Sequence, residues 1–424
     1  MSTADILDDL AARGLIHDTT DRDELRTRLA LGPISVYAGF DPTADSLHVG
    51  NLVPLLLLRR FQQFGHRPVA LAGGATGMIG DPGGRSSERN LLDATTLDAN
   101  LAAIKPQLEM LLDFTPGTTQ ACLVDNRDWT APMGVLDFLR DVGKHVTVNT
   151  MLAKESIKSR VESEAGISFT EFSYMLLQAN DFRHLFKELG VELQVGGSDQ
   201  WGNITAGIDL IRRTEAAHVH GLTVPLVTRA DGQKFGKSVD GAVWLAPERT
   251  TPYAFFQYFM NVDDRDVERF LLQMTLLPVE EVAQVVADHL SDPGRRRAQQ
   301  VLAHAVTALV HGTVEADQAA GASQGFTRSA DELSAADWAE LALSLPKITV
   351  ATSDLGRDLV EFLAENGALS SRSEGRRLVA QSGLSLNDVP IGEGRILEAE
   401  DFTAEGYAMA RRGKKHRFVL HLLA

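Results

Sequence analysis

The sequence predicts an α/β protein built on a doubly wound parallel sheet, followed by a small all-helical region and a compact α+β module. Three observations lead there. Short apolar, β-branched runs recur through the first 245 residues and alternate with helix-like stretches, which is the pattern of stacked βαβ units. From Tyr253 to Gly312 apolar residues fall at helical spacing, with no convincing strand. Past Pro346 a short basic helical segment precedes strand-like runs.

Taken in order, residues 34–40 (ISVYAGF) and 68–73 (PVALAG) read as strands that each enter a Gly-rich turn before a helix. Leu97, Leu101, Ile104, Leu108 and Leu111 line one helical face, with a kink expected at Pro106. Further strands are expected at Thr119 to Val124, Leu193 to Val195 and Leu222 to Val227, which places a Rossmann-like domain at 1–245. The helical domain follows at 246–348, with apolar faces at Val282, Val286 and Leu290 and at Leu302, Val306 and Leu309. Within it AAGASQG (319–325) reads as a loop and 333–343 as another helix. A linker at 349–356 leads to the module at 357–424. There Ser371 and Glu374 form a capping box for a helix that Gly383 would end, and LSLNDVPIG and HRFVLHL read as strands. The sequence holds no internal repeat.

A chain of 424 residues accommodates roughly two or three domains. With 44% hydrophobic and 23% charged residues, it has the composition of a folded globular protein. Cys122 is the only cysteine. Neither an internal disulfide nor a thiolate zinc cluster is therefore expected, and a reducing cytoplasm fits. The acidic, amphipathic start MSTADILDDLAARGLI is unlike a secretory signal, and the apolar block Val53 to Leu58 is too short to span a bilayer. No membrane association is expected. A net charge of -16 argues against wholesale wrapping of nucleic acid, and DNA is not an expected partner. From Arg357 to Ala424, however, ten Lys or Arg balance ten Asp or Glu, so the net negative charge lies in residues 1–356.

Two segments carry candidate chemistry. Tyr37 to Asn51 leaves a strand, makes a polar loop and enters a helix near Gly50. Amides at a helix N-terminus favour phosphate, and Thr43 and His48 can donate to one, while Gly50 leaves room for a flat adenine. KFGKS (234–238) is a Gly-rich loop with two ammonium groups, suited to the charge that builds on a departing pyrophosphate. It is not a P-loop, because Gly232 and Gly236 are separated by three residues instead of four. GGATGMIG lacks the GxGxxG spacing of a dinucleotide site, so its glycines are expected to allow close backbone approach to a substrate. Taken singly, each segment also reads as a solvated polar loop.

Together and in this order, HVGN and KFGKS resemble the two signature motifs of class I aminoacyl-tRNA synthetases. The blocks GFDPTADSLHVGN, GGATGMIGDP, YMLLQANDF and GGSDQWGN resemble the tyrosyl branch, and the likeness runs nearly end to end. The resemblance implies an ATP-dependent ligase of protein biosynthesis that forms tyrosyl-adenylate and then charges tRNA(Tyr). It implies that Tyr37 and Asp181 bind the phenol, Asp81, Tyr174 and Gln178 the amino group, and Gln200 the tyrosine as well. Gly39, Asp41, Gly50, Gly197 and Asp199 would line the adenylate, and Thr43, His48, Asn51, Lys234 and Lys237 would grip the phosphates. Mg²⁺ would arrive with ATP, with no tightly bound protein metal. The final module resembles a small RNA-binding domain, with Arg372, Arg376, Arg377, Arg411, Arg412, Lys414, Lys415 and Arg417 expected on tRNA. A homodimer is implied too. Asn51 stands where many members carry histidine, Phe235-Gly236 replaces the commoner Met-Ser pair, and Arg85 takes a common lysine position. The alternatives are the tryptophanyl sister enzyme, against which Tyr37 and Asp181 speak, and a non-catalytic RNA-binding descendant, which would be expected to have lost signature residues.

Overall fold

The computed structural model describes residues 5–82, 92–162, 166–230, 232, 235–238, 241–325, 329–413 and 416–423. Arg85, Lys234, Lys414 and Lys415 lie outside the described residues. The chain divides into two compact units, residues 1–250 with 262–302 and residues 251–261 with 303–424, so the helical stretch is shared between them.

The first unit holds a five-stranded parallel sheet: β1 (Ser35–Phe40), β2 (Arg67–Ala72), β3 (Cys122–Asp125), β4 (Val191–Gly197) and β5 (His220–Val224), in the order β3-β2-β1-β4-β5. This is the doubly wound arrangement read from the sequence. β2 and β5 are buried nearly throughout, as strands covered on both faces must be, although β5 includes the polar His220 and Thr223. The order reverses between β1 and β4, and a crevice opens there beyond the strands' carboxyl ends.

Helix Val49–Gln63 buries Leu52, Val53, Leu55 to Leu58 and Phe61. Helix Ala94–Met110 buries the expected Leu97, Leu101, Ile104 and Leu108, and it continues through Pro106 as one element. Helix Phe169–Leu189 starts where Ser168 Oγ accepts from the Glu171 amide and stops at Gly190, whose φ of +62° is left-handed. In helix Val279–Ser291 the buried row is Val282, Val285 and His289. The expected face through Leu290 is wrong, because that residue is exposed.

The second unit carries β8 (Lys347–Ala351), β9 (Leu384–Leu386), β10 (Val389–Pro390), β11 (Tyr407–Arg412) and β12 (His416–Leu423); β6 (Lys237–Ser238) and β7 (Gly241–Ala242) form a small hairpin in the first unit. Several expectations are corrected here. Residues 349–351, expected to begin the linker, instead lie with Lys347 and Ile348 in a strand that pairs in parallel with β12, with Ile348 and Val350 pointing into the core. Their β-branched alternation was the overlooked signal. Residues 319–325 lie in helix Thr313–Gly325, where Ala316, Ala319 and Ala322 are buried. Their small size serves close packing there, not flexibility. LSLNDVP is a hairpin turned by Asn387 and Asp388 at φ +49° and +64°, matching a two-residue turn with both φ positive. Helix Arg372–Ala380 has the Ser371 cap, but Glu374 reaches back to the Ser370 amide at 2.7 Å, and Ser382, not Gly383, takes the left-handed conformation.

The sheet of the second unit has a core on each face. Ala408, Ala410, Leu384, Leu386 and Leu420 pack with Leu359, Phe362 and Leu363, while Met409 and Val419 pack with Trp338 and Leu341. No helix among the described residues is long and apolar enough to cross a membrane.

Candidate active site

At the reversal point a cavity of about 360 Å³ is lined by Tyr37, Gly39, Asp41, Thr43, His48, Gly50, Asn51, Asp81, Tyr174, Gln178, Asp181, Gly197, Asp199 and Gln200. These fourteen residues, chosen from sequence for two substrates, line one cavity. Lys237 lies on β6, and its side chain, like Lys234, is outside the description.

One end of the cavity suits a phenol. Tyr37 is 1% exposed, its ring lies 5.3 Å from that of Phe182, and its Oη has no hydrogen-bond partner among the described residues. Burial, and then the nearby Asp181 charge, push its hydroxyl pKa well up. Asp181 accepts from Trp129 Nε1 at 2.8 Å and from Asn126 Nδ2 at 2.9 Å. Its burial raises the carboxyl to about 7, against the pull of these two donors. Gln194, level with Tyr37 on the neighbouring strand, is also buried and lines the cavity, with Oε1 unpartnered among the described residues.

The middle of the cavity is a polar chain. Asn126 Nδ2 also donates to Thr76 Oγ1 at 2.9 Å, Thr76 Oγ1 donates to Asp41 Oδ1 at 2.7 Å, and Tyr174 Oη donates to Asp41 Oδ2 at 2.9 Å. Asp41, expected beside the adenylate, is thus tied to Tyr174, expected at the amino group. Gln200 Nε2 donates to Asp81 Oδ2 at 2.6 Å, and Gln178 Nε2 to Gln200 Oε1 at 3.3 Å. Sequence reasoning missed Asn126, Trp129, Thr76 and Gln194. Asn126 sits just past the carboxyl end of β3, and a polar residue at that location was the available signal.

The glycines also meet side chains of the chain itself. A Cβ on Gly73 would lie 2.1 Å from Asp41 Oδ1, and one on Gly74 2.2 Å from Asp125 Oδ1. Their backbones therefore approach carboxylates of the protein itself. Likewise a Cβ on Gly197 would lie 2.6 Å from Asp199 Oδ1, and one on Gly50 2.8 Å from the His48 ring.

The other end of the cavity suits phosphate. His48 is the N-cap of helix Val49–Gln63: its Nδ1 accepts from the Gly50 amide at 3.0 Å, and Asn51 Oδ1 accepts from the His48 amide at 3.0 Å. These bonds fix both side chains. The neutral imidazole carries its proton on Nε2, and Asn51 keeps its NH₂ as the donor left over. The KFGKS segment meets this helix end. Val243 donates to Gly236 O and accepts from the Val49 amide, both at 2.9 Å, and Gly236 (φ +91°) would place a Cβ 3.4 Å from Gly50 N.

In the second unit the described basic residues do not form one cluster. Arg372 pairs with Glu361 and Glu365, both at 2.7 Å. Arg412 faces Glu374 at 3.8 Å, on the side of helix Arg372–Ala380. Arg411 and Arg417 are cross-strand neighbours on the opposite face, where Arg411 lies 3.7 Å from Asp388. Arg376 and Arg377 are exposed.

A 3-2-1-4-5 parallel sheet, whose reversal point joins a helix N-terminus to a Gly-rich lysine loop, defines a nucleotide-binding α/β enzyme. The model of the class I tRNA synthetases of the W and Y group matches residues 30–327, and the chain belongs to this family. It is 50% identical over 423 residues to a tyrosine–tRNA ligase of Opitutus terrae, covering 99% of this chain and 100% of the relative. It is 49% identical to that of Roseiflexus castenholzii, with 99% of each chain covered. Among solved structures, the C-terminally truncated Aspergillus nidulans mitochondrial tyrosyl-tRNA synthetase superposes with a TM-score of 0.71 at 32% identity, over 76% of this chain and 94% of that one.

Proposed function

We propose that this chain activates tyrosine with ATP, releasing pyrophosphate, and passes the tyrosyl group to the 3′-terminal adenosine of tRNA(Tyr). The observation that carries this reading is one cavity with a buried phenol that has no partner among the described residues and a buried carboxylate at one end, and a phosphate-suited helix N-terminus at the other. A tyrosine hydroxyl between Tyr37 and Asp181 gives the Tyr37 hydroxyl a partner and Asp181 a donor beyond Trp129 and Asn126; phenylalanine leaves Tyr37 unpaired, at a cost of roughly 1–3 kcal/mol. An indole offers no such hydroxyl, which disfavours the tryptophanyl alternative.

The tyrosine carboxylate attacks the α-phosphate in line, and the bond to the pyrophosphate oxygen breaks. Asp81, Tyr174, Gln178 and Gln200 hold the amino acid, and Gly39, Asp41, Gly50, Gly197 and Asp199 line the nucleotide. Thr43, His48 Nε2, the Asn51 amide and the two lysines stabilise the charge on the leaving pyrophosphate. Mg²⁺ enters as part of the ATP substrate. A ribose hydroxyl of the tRNA then displaces AMP from the adenylate, taking the tyrosyl group.

The parallel-sheet region performs activation, while the helical stretch and the final module take the tRNA, through Arg372, Arg376, Arg377, Arg411, Arg412, Arg417 and the lysines at 414 and 415. A homodimer is supported by one run of exposed apolar residues in the first unit: Val135, Leu136, Leu139, Val148, Leu152 and Phe169, the last 78% exposed. The single cysteine supports the reducing cytoplasm as its compartment. ATP–pyrophosphate exchange with each amino acid tests the whole reading. Exchange with tyrosine alone is expected, and its absence with tyrosine, ATP and magnesium would overturn it.

A further inference from the structure

Helix Asp264–Met274 of the first unit touches the KFGKS segment without lining the cavity. Asp266, in its first turn, is 3% exposed, and its Oδ2 accepts from the Ala230 amide at 2.8 Å. Its Oδ1 accepts from Arg269 Nη2 at 2.5 Å, and the same guanidinium donates to Thr228 O. One turn along, the buried Phe270 ring lies 4.2 Å from that of Phe235, the residue between the two lysines. The Phe235 amide closes the base of the segment on Val227 O at 3.0 Å. A carboxylate, a guanidinium and an aromatic ring on a single helix therefore fix Thr228, Ala230 and Phe235.

The helix is itself held firmly. Arg60, buried in the last turns of helix Val49–Gln63, donates through Nη2 to Leu272 O at 3.1 Å, Gln273 O at 3.3 Å and Thr275 O at 2.5 Å. Arg13 adds bonds to Leu272 O at 3.2 Å and Leu277 O at 2.9 Å. Both arginines sit where a helix C-terminus has unpaired carbonyls and partial negative charge. The helix that begins with HVGN thus ends by gripping the helix that holds KFGKS.

We infer that Asp266 is a positioning residue for the ATP step, setting the backbone on which Lys237 is mounted through its bonds to Ala230 and Arg269. It touches no substrate. The inference rests on the reading that the KFGKS lysines act on pyrophosphate. A buried, charge-assisted bond to a backbone amide is worth enough that its loss costs roughly ten- to a hundredfold in rate if the held geometry is catalytic.

The test is a double-mutant cycle in the full-length chain, with rates per titrated active site. Asp266→Asn is expected to lower kcat/KM for ATP in pyrophosphate exchange by roughly ten- to a hundredfold, leaving the tyrosine Kd within about twofold. In a Lys237→Ala background the same substitution should cost less than about threefold, since the group it positions is already gone. Arg269→Gln, at a more exposed position, keeps the Ala230 bond. It serves if Asp266→Asn folds poorly, with a smaller loss and the same non-additivity. Multiplicative losses in the double variants, or a parallel rise in the tyrosine Kd, would overturn the inference and assign Asp266 a purely structural role. A wild-type chain without exchange activity would instead overturn the functional reading beneath it.

Discussion

Asn126 is the group whose removal tests the site most sharply, because one side chain serves three partners. It is fully buried; Oδ1 accepts from the Ala75 amide at 2.7 Å, and Nδ2 donates to Thr76 and Asp181 at 2.9 Å each. At about 1 kcal/mol net per bond, Asn126→Ala should destabilise the protein by roughly 2–4 kcal/mol. It also leaves Asp181 with the Trp129 indole as its one remaining donor of the two, so the carboxyl should move above its value of about 7. The sign follows from the direction. A buried carboxyl raised from its ordinary 3.8 favours folding below that pH, and its contribution is lost as pH rises toward 7. In the variant the loss should continue to higher pH. Tyrosine binding, which needs the ionised carboxylate as acceptor, should strengthen through a midpoint near 7 in the native chain and through a higher one in the variant. Thermal melts and tyrosine titrations between pH 6 and 9 read both effects. An unmoved or lowered binding midpoint would refute the reasoning, as would a variant as stable as the native chain.

Other outcomes follow from the same geometry. Tyr37→Phe should weaken tyrosine binding by roughly two- to fifteenfold, one neutral hydrogen bond, while the unliganded protein loses no stability; a destabilised variant in thermal melts would mean the hydroxyl is bonded in the free protein. Gly50→Ala should push the His48 ring off its cap, costing about 1 kcal/mol in stability and weakening ATP more than tyrosine in separate titrations; equal losses for both ligands would contradict that assignment. Arg376→Glu with Arg377→Glu should spare pyrophosphate exchange and raise the KM for tRNA at least tenfold, with a shallower salt dependence; unchanged charging kinetics would remove these arginines from the RNA surface. Point changes suit this test better than truncation near 350, because Trp338 and Leu341 share a core with Met409 and Val419.

The parallel sheet was legible chiefly through β1 and β2, short apolar runs that lead into turns before helices, and that pattern survives without any knowledge of contacts. HVGN and KFGKS could be singled out for another reason: they are short contiguous stretches at a helix start and in a loop, so their likeness to a family pattern is read without any tertiary contact. What stayed hidden depends on tertiary partners. Nothing local distinguishes Asn126 from any turn asparagine; only Thr76 and Asp181, distant in sequence, give it a role. Ala316, Ala319 and Ala322 look flexible as letters and pack tightly as a row. KITVA beside a proline read as the end of a helical domain and the start of a linker until β12 supplied its partner. The basic tail misled in the opposite way, since strand alternation sends Arg411 and Arg412 to different faces.

The way His48 caps its helix ties one ring nitrogen to the turn that the residue starts. Adding a second proton to the ring would turn Nδ1 from acceptor to donor, facing the Gly50 amide it now receives from. Two donors would then face each other across the first helical turn, and the cap would be lost there. Asn51, which carries no titratable proton, holds the His48 backbone amide at 3.0 Å on the same turn.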